Sequence, residues 1–79
     1  MSLNFGQALE AINDNKRVRR SGWNGKGMWV GKMWSVPVVV CGHRAYTEPC
    51  IAMYTAEGKL QPGWLASQMD LLATDWEIL

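Results

Sequence analysis

Two tryptophan-centred segments hold the side chains best suited to chemistry. They are Arg20-Ser21-Gly22-Trp23-Asn24-Gly25 near the start of this 79-residue chain and Trp64-Leu65-Ala66-Ser67-Gln68-Met69-Asp70 near its end. Each joins a flat aromatic ring to groups that make directed hydrogen bonds. Trp23 and Trp64 fall in glycine-bearing turns, where a ring is placed to line a cleft, and stacking a base on such a ring contributes roughly 1–3 kcal/mol. Arg20 can hold a phosphate through two hydrogen bonds. Asn24, Ser67 and Gln68 carry donors and acceptors suited to ribose hydroxyls or base edges. Asp70 accepts from hydroxyls or an exocyclic amine and repels phosphate. The chemistry is recognition of a molecule with base, sugar and phosphate parts. The same residues have a plainer use: Asn24-Gly25 makes a tight turn, and Ser67 with Asp70 caps a helix. One motif can serve both.

No catalytic set accompanies them. His43 is the single histidine, and no acid stands at a spacing that suggests a partner for it. Asp70 and Asp75 read as a capping residue and a strand-end turn residue before they read as a carboxylate pair. Gly22, Gly25 and Gly27 lack the spacing and the strand-to-long-helix setting of a phosphate-binding loop. Ser67 has no base. Cys41 and Cys50 fit no zinc or redox spacing and are expected to be free, buried thiols. The expectation is a protein that is not an enzyme, with no cofactor and no metal.

These residues need elements to hold them. Asn4 can cap a helix with Gln7 as the return half of a capping box, and Phe5, Ala8, Leu9 and Ile12 repeat at helical spacing. This predicts a helix over 5–13. Residues 17–21 read as a short strand with Val18 and Arg20 on one face and Arg17 and Arg19 on the other. An Arg20 turned inward in this way is either paired or open to an anion. Residues 28–34 alternate as a strand, with Gly31 as a candidate bulge and Trp29 and Trp34 as core or interface. Residues 36–41 are a β-branched run interrupted at its start by Pro37, so a strand or strand edge. Residues 42–49 read as polar and irregular. Residues 50–55 form another strand, 56–59 a turn, and Gln61-Pro62-Gly63 a break. Ser67 caps a helical turn over 69–73. Residues 75–79 form a last strand whose Trp76 belongs to the core. The sum is a single α+β domain over 1–79. An N-terminal helix packs on a small, mostly antiparallel sheet, with a short helical turn before the last strand.

Composition narrows the class. Apolar residues make up 48% of the chain and five are tryptophan. A domain this short buries only about 60–65% of the surface its unfolded chain exposes, so a second copy is expected to cover part of that apolar surface. The net charge of +1 disfavours a DNA or RNA polymer, which needs a basic field, but suits a small anion held by one or two cations. No apolar run is long enough to span a membrane, and no basic region followed by an apolar run marks a secretory signal. A soluble, cytosolic protein is expected.

Four segments occur together in order: Asn4-Phe5-Gly6-Gln7-Ala8-Leu9, then Arg20-Ser21-Gly22-Trp23-Asn24-Gly25-Lys26-Gly27-Met28, then Trp64-Leu65-Ala66-Ser67-Gln68-Met69-Asp70-Leu71-Leu72-Ala73, then Asp75-Trp76-Glu77. With them the chain resembles the second Thoeris anti-defence family of phages and prophages, over nearly its whole length apart from residues 36–49. The resemblance implies a sponge that binds cyclic ADP-ribose isomers made by TIR-domain proteins without cleaving them, so that the Thoeris effector stays off. It also implies a homotetramer with pockets between protomers, possible cyclic dinucleotide (CBASS) sites, and action in the cytoplasm of the infected host. Carried onto this sequence, Trp23 would be the stacking ring and Arg20 a phosphate or framework contact. Asn24 and Gly25 would give turn geometry and amide contacts, and Ser67, Gln68 and Asp70 would face ribose or adenine. Phe5 would be a second ring, Met28 the lining of a second pocket, and Trp64 the residue that fixes the turn presenting Ser67 to Asp70. The competing expectation is a phage structural or protein-interaction module whose tryptophans bury an oligomer interface.

Overall fold

The computed structural model describes residues 2–23 and 26–79. Asn24 and Gly25, expected in the candidate site, lie outside the described residues. Helix α1 spans Phe5–Asn13, the range the spacing predicts. Its capping box is formed: the Asn4 side chain accepts from the Gln7 backbone N–H at 2.8 Å, and the Gln7 side chain accepts from the Asn4 N–H at 3.0 Å. This satisfies two of the donors that a helix start leaves without partners. The chain leaves the helix through Asn15 at φ 62°, a conformation asparagine tolerates. The Asn15 side chain also accepts a hydrogen bond from the Trp34 indole at 2.8 Å.

Strands β1 (Val18–Arg20), β2 (Trp29–Met33), β5 (Cys50–Tyr54), β6 (Leu60–Pro62) and β7 (Trp76–Ile78) form one antiparallel sheet in the order β6-β5-β2-β1-β7. Strands β3 (Pro37–Val40) and β4 (His43–Tyr46) form a separate two-stranded hairpin. Helix α2 (Gln68–Leu72) precedes β7. Helix α1 lies on the sheet face that carries Val18, Val30 and Trp76, and these close the core with Ala8, Ala11 and Ile12. Ala8 and Ala11 are small enough to let the helix sit close to the strands. Leu9, expected in the apolar stripe, is 37% exposed, because the buried stripe runs through Ala11 in its place.

Several expectations are corrected. Residues 42–49 are not all irregular, since β4 runs through His43–Tyr46 in regular register with β3. All four β4 residues are exposed, so no buried face imposed an apolar alternation for the sequence to display. The break at Gln61-Pro62-Gly63 falls largely within β6, a three-residue edge strand on β5, where proline is tolerated. Gly31 is no bulge: it pairs with Ala52 in an unbroken register. A Cβ at Gly31 would stand 3.3 Å from the Trp29 Cζ3, so the glycine lets that indole lie across the strand. Cys41 and Cys50 are free, but Cys41 is exposed rather than buried. It occupies the hairpin turn with Gly42, at φ 52° and 75°, as two-residue hairpin connections require.

Candidate functional site

Arg20 ends β1 on the same face as the buried Val18, so its side chain turns in along the edge of the core. There it meets two carboxylates. Its Nη1 donates to Asp70 Oδ1 at 2.9 Å and its Nε to Asp75 Oδ1 at 2.9 Å. Arg20 is therefore paired, the first of the two states its inward position allows. Asp75, at the entry to β7, also accepts from the Gly22 backbone N–H at 3.0 Å and the Ser21 hydroxyl at 3.4 Å, which pins the turn leading to Trp23. A Cβ at Gly22 would stand 2.9 Å from Asp75 Oδ2, so the backbone can come this close to the carboxylate only at a glycine.

Asp70 is the centre of the arrangement. Its Oδ2 accepts from the Ser67 N–H at 3.0 Å, and its own N–H donates to Ser67 Oγ at 3.1 Å. These two bonds are the capping box that starts α2. Its Oδ1 also accepts from the Trp23 indole N–H at 3.4 Å, and its carbonyl accepts from the Trp76 indole N–H at 3.0 Å. Burial pushes the Asp70 carboxyl up. The hydrogen bonds from the Ser67 backbone, Arg20, the Ser67 side chain and Trp23 outweigh that and hold it below the usual carboxylate range. The Arg20 guanidinium, with the Gly22 N–H, holds Asp75 below that range too. Both acids raise the Arg20 pKa further, Asp75 more strongly. The trio stays fully ionised at neutral pH, one cation with two anions.

The indoles close over this knot. Trp23, Trp64 and Trp76 meet edge to face in a triangle, with centroids 5.4 Å apart for Trp23–Trp76, 6.1 Å for Trp23–Trp64 and 6.2 Å for Trp64–Trp76. Phe5 adds a ring 5.5 Å from Trp76. Edge-to-face pairs of this kind are each worth about 0.5–1.5 kcal/mol beyond area burial. Trp23 and Trp64 are both half-buried against the core, and only part of each ring faces outward.

Strand β1 shares one paired position with β2, Val18↔Val30, but three with β7. Beyond the Val18–Val30 pair no further position of β1 is matched with β2, and Ser21, Trp23, Lys26, Gly27 and Met28 lie along this edge. Here lies an open groove of about 430 Å³ lined by Arg19, Arg20, Ser21, Trp23, Lys26, Gly27, Met28 and Glu77. Of the residues singled out in the sequence, Arg20, Trp23 and Met28 line it, with Met28 sharing the groove of Trp23. Asp70 and Ser67 stand behind it, joined through Arg20 and Trp23. Phe5 and Trp64 support the rings from the core side, and Gln68 is exposed on α2. Sequence reasoning passed over Arg19, Lys26 and Glu77. The alternation that turns Arg20 inward sends Arg19 to the other face, where it pairs with Glu77 across β1 and β7 at 3.2 Å. That alternation was the available signal. Among the described residues no cluster of three or more His, Cys, Asp or Glu side chains is arranged to hold a metal ion, and no helix is long and apolar enough to cross a membrane.

The family model of the Thoeris anti-defense 2-like domain matches residues 3–79. A relative named Thoeris anti-defense 2, from Bacillus phage SP01, is 38% identical over 85 residues, covering 98% of this chain and 94% of its own. A match across so much of both chains includes the elements that build the Arg20–Asp70–Asp75 knot and the groove, and it places this chain in the Thoeris anti-defense 2 family.

Proposed function

We propose that this protein is a phage anti-defence sponge: it binds cyclic nucleotide immune signals of the cyclic ADP-ribose type and withholds them, uncleaved, from the Thoeris effector in the infected cell. Family membership supports the anti-defence role. The observation that carries the ligand class is the groove, which sets the Trp23 ring beside cationic side chains and the Ser21 hydroxyl. An indole contributes stacking to any base, and the cations contribute charge-assisted bonds to phosphate. Binding without cleavage fits the local chemistry. Asp70 and Asp75, behind the groove, are both committed to Arg20 and held ionised, so neither is set to donate a proton, and Glu77, the carboxylate that lines the groove, is paired with Arg19 at 3.2 Å. His43 sits on the separate β3–β4 hairpin. The protein assembles as a homo-oligomer in this proposal. Support comes from the exposed Val39, Val40 and Tyr46 on the hairpin and Leu65, Met69 and Leu72 around α2, more apolar surface than a monomer of this size gains by leaving in water. A site for cyclic dinucleotides remains part of the same proposal.

The test is a panel of cyclic ADP-ribose isomers and cyclic dinucleotides measured by native mass spectrometry, followed by heating of the loaded protein. Intact ligand should be released, and a cleaved product would refute sequestration. Trp23→Ala should lose binding while Trp23→Phe keeps most of it. The alanine variant also gives up packing on Trp76, so its fold is checked by circular dichroism. Equal binding by both variants and wild type would remove the stacking ring from the proposal.

A further inference from the structure

We infer that the cations reading phosphate in this groove are Arg19 and Lys26, that Arg20 is not among them, and that Glu77 is an acidic guard which makes the groove select a diphosphate over a single phosphate. The inference deepens the sponge proposal and rests on it for the nucleoside part of the ligand, but the anion part stands on charges within the groove.

Three cationic residues line the groove, and one of them is already neutralised. Arg20 gives Nε and Nη1 to two different carboxylates at 2.9 Å each, and its side chain is only 21% exposed. One positive charge against Asp70 and Asp75 leaves the trio at −1, so a phosphate brought to Arg20 meets net repulsion. Removing either acid to make room would also undo the cap of α2 or the Gly22 turn. Arg19 differs: its side chain is 45% exposed, and its ion pair with Glu77 uses Nε alone. The edge of the guanidinium carrying the two terminal amino groups suits bidentate contact with phosphate. Lys26 lies in the turn leading to Met28, on the same groove, and among the described residues it makes no ion pair.

Glu77 and Arg19 are register partners on neighbouring strands, and their side chains pair at 3.2 Å. A phosphate that takes the Arg19 guanidinium must therefore accept a carboxylate beside it. Against Arg19 and Lys26, Glu77 leaves the mouth of the groove at +1. A singly bridging anion gains little from that balance, whereas a diphosphate can engage both cations at once. Exposed ion pairs are weak and screened by salt, so the guard yields to a strong anion and resists a weak one.

The experiment titrates the full protein with inorganic pyrophosphate, inorganic phosphate and cyclic ADP-ribose, by calorimetry and by ¹⁵N NMR of side-chain resonances, at low and high salt. Pyrophosphate should bind more tightly than phosphate and move the Arg19 Nε and Lys26 signals while leaving Arg20 Nε in place. Arg19→Gln and Lys26→Gln should each weaken pyrophosphate and cyclic ADP-ribose about tenfold. Glu77→Gln should tighten phosphate about threefold at low salt, an effect that shrinks at high salt. Shifts centred on Arg20, affinities within twofold of wild type in the Arg19 and Lys26 variants, or no pyrophosphate binding would each overturn the assignment. Should a variant fail to fold, the wild-type NMR shifts decide alone. If pyrophosphate follows this pattern and no cyclic ADP-ribose isomer binds, the sponge proposal falls and the groove assignment stands. If cyclic ADP-ribose binds tightly to the Arg19 and Lys26 variants, the assignment falls and the sponge proposal stands.

Discussion

Replacing Asp70 with alanine tests whether the knot beneath the groove holds the fold together. The substitution removes the return half of the α2 capping box, the bond Asp70 Oδ2 accepts from the Ser67 N–H, worth about 1 kcal/mol. It also removes one of the two carboxylates on Arg20. A hydrogen bond to a charged partner is worth about 1.5–3 kcal/mol, and since the Arg20 side chain is 21% exposed the lower half of that range applies. The Trp23 indole N–H, at 3.4 Å from Asp70 Oδ1, loses a long and therefore weak bond. Together the loss is about 3 kcal/mol. A domain of this length has a total stability of roughly 4–12 kcal/mol, so the variant stays folded but marginal. For a domain in this size range each kcal/mol moves Tm by about 4–8 °C, which gives a fall of about 12–24 °C. The measurement is thermal and urea unfolding at fixed protomer concentration, because an oligomer's Tm depends on concentration. A double-mutant cycle with Arg20→Met isolates the pair: about 1–2 kcal/mol of the loss should disappear when Arg20 is already gone. A single-variant loss under about 1 kcal/mol, or a coupling near zero, would refute the claim that Asp70 does more than cap α2.

Two further predictions concern stability. Asp70 and Asp75 have folded pKa values below their unfolded ones, so their contribution is fully present above the unfolded carboxylate range, near pH 4, and is lost as pH falls through the lower folded values. Tm should stay flat from pH 8 to about pH 5 and fall in stronger acid, and Asp75→Asn should flatten that acid limb. A decline beginning near pH 6 would point to a different titrating group. Gly31→Ala would bring a Cβ to 3.3 Å from Trp29 Cζ3. The indole must then lift off the strand, where it stacks on Tyr54 with centroids 5.2 Å apart, so a loss of about 1–2 kcal/mol and a changed tryptophan emission are expected. An unchanged urea midpoint would show that the ring moves freely.

Much of the fold was legible because short-range chemistry wrote it. The Asn4–Gln7 and Ser67–Asp70 spacings are capping boxes in the sequence and in space. The alternation around Val18 and Arg20 told which way each side chain turns, since strand period alone fixes that. The hairpin strand His43–Tyr46 was not legible: its residues have no buried face, and sequence patterning reports burial rather than pairing. The candidate site was legible in half. Trp23, Arg20 and Asp70 were picked out by type, and they do come together. What type could not tell was their state. Whether Arg20 waits for an anion or is spent depends on Asp75 and Asp70 arriving from 55 and 50 residues away, and only the closing of β7 against β1 brings them there. The same closure pairs Arg19 with Glu77 and sets both on the groove beside Trp23. The sequence by itself determined the caps, the facing of the strands and the kinds of groups on offer, because these follow from local geometry. The tertiary structure decided which charges cancel and which remain for a ligand, because charge balance is set by neighbours that only folding brings together.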